Sequence, residues 1–197
     1  MPRKKKQKRE KAIRNNVIHY DVKADSKPRG ALPWFAFLFI NVGLIAIDQW
    51  LKAWSSANLA GQGRRIVING VIGMRYFHNT GAAFGFLGGF EWGRWVLIGI
   101  VTLLLIAVTW FYFIMPHEKQ LWWVRIPLIF IFAGGLGNLI DRVRLGFVVD
   151  MLEFLFISFA IFNLADVFVV IGTFLLFFVI LIMGKKAPWP FGEQKNV

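Results

Sequence analysis

Four stretches of this chain carry almost no charge and have the length of membrane-crossing helices. A helix needs about 20 apolar residues to cross the hydrocarbon core of a bilayer, or somewhat fewer when flanking side chains reach the interface. The sequence therefore predicts an integral membrane protein, mainly α-helical, with one membrane domain over residues 31–184. The four predicted transmembrane helices cover residues 31–47, 95–115, 121–140 and 167–184.

Two other stretches are neither membrane-crossing helices nor ordinary loops. Between residues 53 and 90, the run from Arg64 to Phe77 is rich in β-branched residues and alternates in polarity, and it contains an Asn-Gly step typical of hairpin turns. This run predicts short β-strands. Residues 154–161 are aromatic and too short to cross a membrane, which favours a segment lying at the membrane surface.

The composition agrees with a membrane protein and excludes several kinds of site. Of the 197 residues, 57% are hydrophobic, including 9 Trp and 21 Phe, a content that soluble domains of this size rarely reach. The chain has no Cys, which excludes disulfides, thiolate metal sites and a cysteine nucleophile. Its three His residues are not spaced as metal ligands, and it has no His-Glu-x-x-His motif. We therefore expect no metal site.

Positive charge is concentrated at the N-terminus. Residues 1–30 hold eleven Lys and Arg residues against three acidic ones, which is +8 of the chain's net +12. Such a tail could bind nucleic acid or anionic lipid, but basic flanks of membrane proteins are typically cytoplasmic. Four crossings place both termini on one side of the membrane. We therefore expect a disordered cytoplasmic tail over 1–30, a cytoplasmic C-terminal tail over 185–197, and no nucleic-acid partner.

Polar residues collect at the ends of the apolar stretches. Asp48 and Lys52 are four residues apart, so they share one helical face and can pair, either as a structural ion pair or in support of a site. Asn138, Asp141 and Arg142 also share one face, directly after a glycine-rich run that permits close helix packing. These three residues either tie helices together or position a polar group of a substrate, and the pattern allows both.

Two carboxylates lie beside sequence that is as apolar as a membrane-crossing helix. Asp166 ends the run Phe-Asn-Leu-Ala-Asp and opens an uncharged stretch of eighteen residues, and Asp150 follows Phe-Val-Val. Ionised groups are costly in such surroundings and usually carry function. If the two converge, they share one proton, which supplies an acid and a base at one site for water activation. The spacing alone does not establish that they converge.

Five blocks in register resemble the lipoprotein signal peptidase (signal peptidase II) family over about residues 31–184. The blocks are Asp48-Gln49-Trp50-Leu51-Lys52, Asn79-Thr80-Gly81-Ala82-Ala83-Phe84-Gly85, Gly137-Asn138-Leu139-Ile140-Asp141-Arg142, Val148-Val149-Asp150 and Phe162-Asn163-Leu164-Ala165-Asp166. The resemblance implies four transmembrane helices, a small extracytoplasmic β-cradle at about 53–90 and a short interfacial helix. The stretch between Asp150 and Asp166, which would hold that helix, is slightly short and very apolar.

The resemblance also implies an activity. It is that of an intramembrane aspartyl endopeptidase of the bacterial inner membrane, acting near the outer leaflet without a cofactor. Its substrate is a prolipoprotein whose Cys carries diacylglycerol, and cleavage falls just before that Cys. The other partner is membrane lipid, and we expect a monomer.

Matched block by block, Asp150 and Asp166 are the expected catalytic pair. The residues expected to line or support the site are Asn79, Asn138, Arg142, Asn163, Asp141, Asp48 and Lys52. Asp141 is the ambiguous carboxylate. Because its neighbour Arg142 should hold it ionised and paired, Asp150 is preferred to Asp141 as the partner of Asp166.

The residues by themselves also allow three other hypotheses about function. A Ser/Lys peptidase could use Lys52 as base, since Ser55 and Ser56 lie within reach one helical turn further on. A small transporter could use Asp150 and Asp166 as proton or cation sites, although the chain shows no repeated halves. A purely structural membrane scaffold is the third.

Overall fold

The computed structural model describes residues 32–81, 92–115 and 121–183. These contain four helices, each long and apolar enough to cross a membrane: α1 Leu32–Leu59, α2 Gly93–Ile114, α3 Trp122–Arg144 and α4 Leu164–Met183. Three strands accompany them: β1 Arg65–Ile68, β2 Ile72–Asn79 and β3 Val148–Phe154. The prediction of four transmembrane helices with a small sheet is confirmed. The two tails, 1–30 and 185–197, and the last part of the predicted cradle, 82–90, lie outside the described residues.

The first helix is longer than the sequence predicts. It was expected to end at residue 47, but α1 continues to Leu59. Asp48 and Lys52, which follow the predicted helix end, are both buried and form an ion pair of 3.0 Å between Lys52 Nζ and Asp48 Oδ2. A pair spaced at i, i+4 supports a helix and does not end it. Residues 53–59, assigned to the cradle, are therefore helical.

The sheet is antiparallel with strand order β1-β2-β3. The strands in residues 65–79 agree with the predicted hairpin, and Gly70 in the turn has a φ of 69°, a left-handed conformation that glycine adopts readily. The third strand was not predicted. Most of β3 is buried on both faces, so it lacks the alternation of polar and apolar residues that reveals a half-buried strand.

The short interfacial helix expected from the resemblance does not form at 154–161. Phe154 is the last residue of β3, and residues 155–161 adopt bends and extended structure. The chain folds back on β3, where Phe162 exchanges backbone hydrogen bonds of 2.8 and 2.9 Å with Leu152. The ring of Phe154 packs against those of Phe156, Phe159 and Phe162. This packing holds the short segment in a turn instead of a helix.

Helix α3 lies at the centre of the bundle and packs against α1, α2 and α4. The strands follow α1 and α3 and precede α4, so they lie at the end of the bundle where α1 and α3 finish, which we call the sheet end. A buried apolar cluster fills the opposite end, with Tyr112, Met115, Leu121, Val124, Leu128 and Ile129.

Glycines bring α3 and α4 into backbone contact. A Cβ atom on Gly134 would clash with the backbone oxygen of Ala165 and would lie 2.8 Å from a methyl of Val169. A Cβ on Gly172 would lie 2.7 Å from the backbone oxygen of Pro127. This close packing places the first turn of α4 directly against α3.

Replacing Gly134 by alanine should destabilise the protein by about 3 kcal/mol, because the added methyl meets backbone that cannot move aside. Thermal unfolding in detergent micelles measures the effect. The control is Gly99→Ala in α2, where a Cβ has nothing within 4 Å and alanine should be neutral or slightly stabilising. Equal melting temperatures for the two variants would contradict the packing argument.

Candidate active site

Asn163 joins the two predicted catalytic carboxylates. Its side-chain Nδ2 donates a 2.6 Å hydrogen bond to Oδ1 of Asp150 on β3. Its Oδ1 accepts a bond of 2.9 Å from the backbone N–H of Asp166, whose Oδ2 accepts one of 3.0 Å from the backbone N–H of Asn163. This reciprocal pattern is a capping box at the start of α4. The local sequence Asn-Leu-Ala-Asp thus fixes Asp166 and aims Asn163 at Asp150.

Asn79 holds the other oxygen of Asp150. It ends β2, which pairs with β3, and its Nδ2 donates to Asp150 Oδ2 at 2.9 Å. Its Oδ1 accepts a bond of 3.1 Å from the backbone N–H of Gly81. The turn after β2 therefore sets the orientation of the Asn79 amide, with its donor side facing the carboxylate.

Asn138 binds Asp166 in the same way that Asn79 binds Asp150. Its Nδ2 donates to Asp166 Oδ1 at 2.7 Å. Its Oδ1 accepts from Lys52 Nζ at 2.9 Å and from Asn163 Nδ2 at 3.0 Å. Each of the four carboxylate oxygens of Asp150 and Asp166 therefore accepts at least one hydrogen bond from an amide or backbone donor.

Lys52 lies between two further buried carboxylates. Its Nζ is 3.0 Å from an oxygen of Asp48 and 3.0 Å from an oxygen of Asp141. Asp48 Oδ1 accepts from the backbone N–H of Ala165, next to Asp166, at 2.9 Å, and Asp141 Oδ2 accepts from that of Val149, next to Asp150, at 3.2 Å. These two carboxylates therefore fix the backbone beside each member of the predicted pair.

The predicted pairing of Asp141 with Arg142 is wrong, because among the described residues the ion pair of Asp141 is with Lys52, while Arg142 Nη2 bonds to the backbone oxygen of Gly81. Both oxygens of Asp141 are engaged, one by Lys52 and Val149 and the other by Gln49, which suits a structural role. The ammonium of Lys52 is held by two carboxylates and is poorly placed to act as a base. Ser56 Oγ donates to the backbone oxygen of Lys52 instead of pairing with its amine. The Ser/Lys peptidase hypothesis, which needs Lys52 as its base, is therefore not supported.

Sequence reasoning missed two residues that complete this cluster. Gln49 Nε2 lies 3.1 Å from the backbone oxygen of Gly137 and 3.0 Å from Asp141 Oδ1. A Cβ on Gly137 would lie 2.7 Å from Asp48 Oδ2, so glycine is what lets Asp48 reach α3. The signal was available, because Gln49 is a polar residue beside Asp48 within an apolar stretch.

Arg142 borders the same site from α3. Its Nη2 donates to the backbone oxygen of Gly81 at 2.9 Å, which ties down the turn that orients Asn79. Its charge interacts with those of Asp166 and Asp150. Its Nε is buried and has no hydrogen-bond partner within the described residues. A buried donor without a partner is costly, which makes it available for a ligand.

The electrostatics of Asp150 differ from those of an exposed carboxylate. Burial and the nearby charge of Asp166 raise the pKa of Asp150 to about 6, although hydrogen bonds from Asn79 and Asn163 partly oppose that rise. The charge of Asp166 therefore favours the protonated form of Asp150. In the parts of the chain that the structure describes, no three acidic or His side chains are grouped to hold a metal ion.

All nine residues predicted for the site lie in this one network, which α1, α3, β2, β3 and the start of α4 build together.

Known proteins are similar to this chain over about three quarters of its length. Residues 40–182 match the family model described as signal peptidase (SPase) II. The lipoprotein signal peptidase of Streptococcus thermophilus strain CNRZ 1066 is 43% identical over 74% of this chain and 90% of that protein. That of Clostridioides difficile strain 630 is 40% identical over 77% of this chain and 98% of that protein.

Two solved structures share the fold. Both are described as bacterial membrane enzymes studied by the in meso method, at 2.3 Å and 1.9 Å resolution. The first has a TM-score of 0.66 and 27% identity, covering 83% of this chain and 94% of that chain. The second has a TM-score of 0.65 and 28% identity, covering 75% and 93%.

Proposed function

Because the chain belongs to the signal peptidase II family, and so is a multi-pass membrane protease rather than a transporter or a scaffold, we propose that it processes bacterial prolipoproteins. The substrate is a precursor whose Cys carries diacylglycerol, and the chain cleaves the peptide bond just before that Cys. The proposal makes it an aspartic endopeptidase that needs no cofactor.

One observation carries the aspartic mechanism. Asn163 hydrogen-bonds to Asp150 through its side chain and to Asp166 through its side chain and its backbone. Two carboxyl groups from different elements are thereby held at one point. Neither has an ion-pair partner within 4.0 Å among the described residues, in contrast to Asp48 and Asp141. A pair of this kind can hold one proton and one water between its members.

The proposed reaction uses one protonated and one ionised carboxyl group. Asp150, whose pKa is raised to about 6, carries the proton, and ionised Asp166 accepts a proton from the water as its oxygen attacks the scissile carbonyl carbon. Protonated Asp150 stabilises the developing oxyanion. When the C–N bond breaks, the leaving amine takes a proton from the pair, which returns the two residues to the singly protonated state.

Positioning of the substrate falls to Arg142 and the three asparagines. The buried Nε of Arg142 supplies a donor for a peptide carbonyl. Asn79 and Asn163 hold Asp150 in place while the peptide lies against the sheet. Fixing the reacting groups in this way lowers the entropic cost of the reaction.

The membrane arrangement in this proposal follows the charge of the chain. The basic N-terminus and the C-terminal tail lie in the cytoplasm, the chain resides in the bacterial inner membrane as a monomer, and the sheet end faces outward. The site is then close to the outer leaflet, where a signal peptide can enter laterally while its acyl chains remain in lipid.

A comparison of substrates tests this function. Purified protein should cleave a diacylglyceryl-modified prolipoprotein, detected by gel shift, and should leave the same precursor without the lipid uncut. Mass spectrometry of the product should place its new N-terminus at the lipidated Cys. Equal cleavage of both precursors, or a cut elsewhere, would refute the proposed specificity. A well-folded protein that cuts neither precursor would refute the function itself.

The proposed mechanism predicts a pH profile. Because Asp150 is protonated below its pKa of about 6 and ionised above it, kcat/KM should fall as pH rises through that value. The Asn79 hydrogen bond favours the ionised form, so Asn79→Ala should raise this pKa further and move the falling limb to a pH about 1 higher. The measurement is kcat/KM between about pH 5 and pH 9.

The matched control for this profile is Asn58→Ala. Asn58 lies near the sheet end of α1 and is exposed. Among the described residues its side chain bonds only to the backbone oxygen of Trp54, so its removal should leave the profile unchanged. If the falling limb of the kcat/KM profile stays in place or moves to lower pH in Asn79→Ala, Asn79 does not stabilise the ionised form of Asp150.

A further inference from the structure

A second polar site lies on the sheet, away from the paired carboxylates. Arg64, Arg75, Glu153 and residues 154–159 line a surface cleft of about 520 Å³, which we call the arginine cleft. Its lining combines these charged side chains with the aromatic turn after β3. Nothing in the proposed peptide cleavage uses these side chains.

The charges in the arginine cleft do not balance. Glu153 is its one acidic residue among those described, and two guanidinium groups face it. Arg64 binds Glu153 through both oxygens, with Nε–Oε2 and Nη2–Oε1 distances of 2.7 Å. Arg75 lies further off, with Nη2 3.8 Å from Oε1. One positive charge remains, and the side chains of Arg64 and Arg75 are 49% and 45% exposed.

The arginine cleft rejects cationic groups. Hydrogen bonds from Arg64 lower the pKa of Glu153, so this carboxylate stays ionised and engaged with Arg64. An ammonium group entering the cleft would therefore find no free carboxylate and would meet Arg75. A phosphate diester has the opposite character, since guanidinium groups bind its oxygens through paired N–H donors.

The surroundings of the cleft indicate that its ligand also has an apolar part. Helix α1 ends at Leu59, shortly before Arg64, and α4 begins at Leu164, shortly after the aromatic turn, so the cleft residues are close in the chain to helix ends of the sheet end. Exposed tryptophans at this end, Trp50, Trp92 and Trp95, are typical of a membrane interface. In the turn, Phe156 and Ile157 are 62% and 48% exposed.

We propose that the arginine cleft binds the head group of an anionic phospholipid. Arg75 and the outer face of Arg64 hold the phosphate, while Phe156 and Ile157 enter the acyl region beside it. The site anchors the sheet to the membrane surface through the turn that follows β3. Because Asp150 lies on β3, the lipid would hold the paired carboxylates at a constant depth.

Lipid competition on the intact protein tests the proposal. Native mass spectrometry of the purified full chain in detergent, with phosphatidylglycerol and phosphatidylcholine added together, gives the relative occupancy of the two lipids. Wild type should prefer phosphatidylglycerol. Arg75→Gln should lower that preference about five-fold, the effect expected of one basic residue at an anionic surface. The matched control is Arg144→Gln, the same change at an exposed arginine of the sheet end, which should have no effect.

Glu153→Gln separates a lipid site from a structural ion pair. If the arginines bind lipid, removing the competing carboxylate frees Arg64 and should raise the preference for phosphatidylglycerol. If they only stabilise the sheet, Glu153→Gln should act in the same direction as Arg75→Gln. A lowered preference in Glu153→Gln, an unchanged one in Arg75→Gln, or an equal loss in Arg144→Gln would each overturn the proposal. Since the readout is lipid binding, its failure leaves the proposed peptidase activity untouched.

Discussion

Replacing either Asp150 or Asp166 by asparagine should lower the cleavage rate at least about 1000-fold. Asparagine keeps the size of the carboxylate and one of its two accepting oxygen positions, so the network around Asn163 survives in outline. The pair can no longer hold one proton and accept another, because an amide does not exchange protons in this way. The loss should appear in kcat, since the chemical step is what the pair performs.

The measurement is a gel-shift assay on a diacylglyceryl-modified prolipoprotein, with the two variants beside wild type and Asp141→Asn. Asp141 is the matched control, because it is a buried aspartate of the same cluster that contacts Lys52, Gln49 and a backbone N–H. It should retain at least partial activity. Loss in Asp141→Asn and Asp166→Asn with normal cleavage by Asp150→Asn would keep the peptidase and overturn the pairing. Melting temperatures close to that of wild type are required before any loss is assigned to chemistry.

Local signals account for the part of the site that the sequence predicts well. The spacing of Asn163 and Asp166 is that of a capping box, and it forms as such at the start of α4. The i, i+4 spacing of Asp48 and Lys52 predicts the ion pair that the structure contains. Such short-range rules need no knowledge of the rest of the fold.

The errors have a common physical origin in burial. The predicted end of the first helix at residue 47 rested on the assumption that charge meets water, whereas Asp48 and Lys52 are buried among partners from α3 and α4. β3 was not predicted because its burial on both faces removes the alternation of polar and apolar residues. In each case a long-range contact supplies what the local pattern lacks.

The convergence of Asp150 and Asp166 is the step that sequence spacing leaves open. It depends on the pairing of β2 with β3, on the close packing of α3 against α4 at Gly134, and on the turn that returns the chain from β3 to α4. None of these contacts is local. The resemblance to the family predicted the pair because it carries that three-dimensional information indirectly.

Replacing Lys52 by methionine should destabilise the protein by about 3–5 kcal/mol, the range for breaking a buried ion pair by removing one partner. Methionine keeps most of the length of the side chain, so little packing is lost. The change leaves Asp48 and Asp141 facing one another without the cation that lies 3.0 Å from each. It also frees Asn138 Oδ1 from Lys52, so cleavage should fall as well, through the altered orientation of the amide that donates to Asp166.

A compensated variant separates charge from shape in this prediction. In the triple variant Lys52→Met, Asp48→Asn, Asp141→Asn, no unpaired buried charge remains, so thermal unfolding should occur at a higher temperature than in Lys52→Met alone. Activity should recover less than stability, because the missing ammonium is also the group that holds Asn138 in its orientation. If the triple variant melts no higher than Lys52→Met, the loss comes from packing, and the cluster of Lys52 with its two carboxylates does not support the site electrostatically.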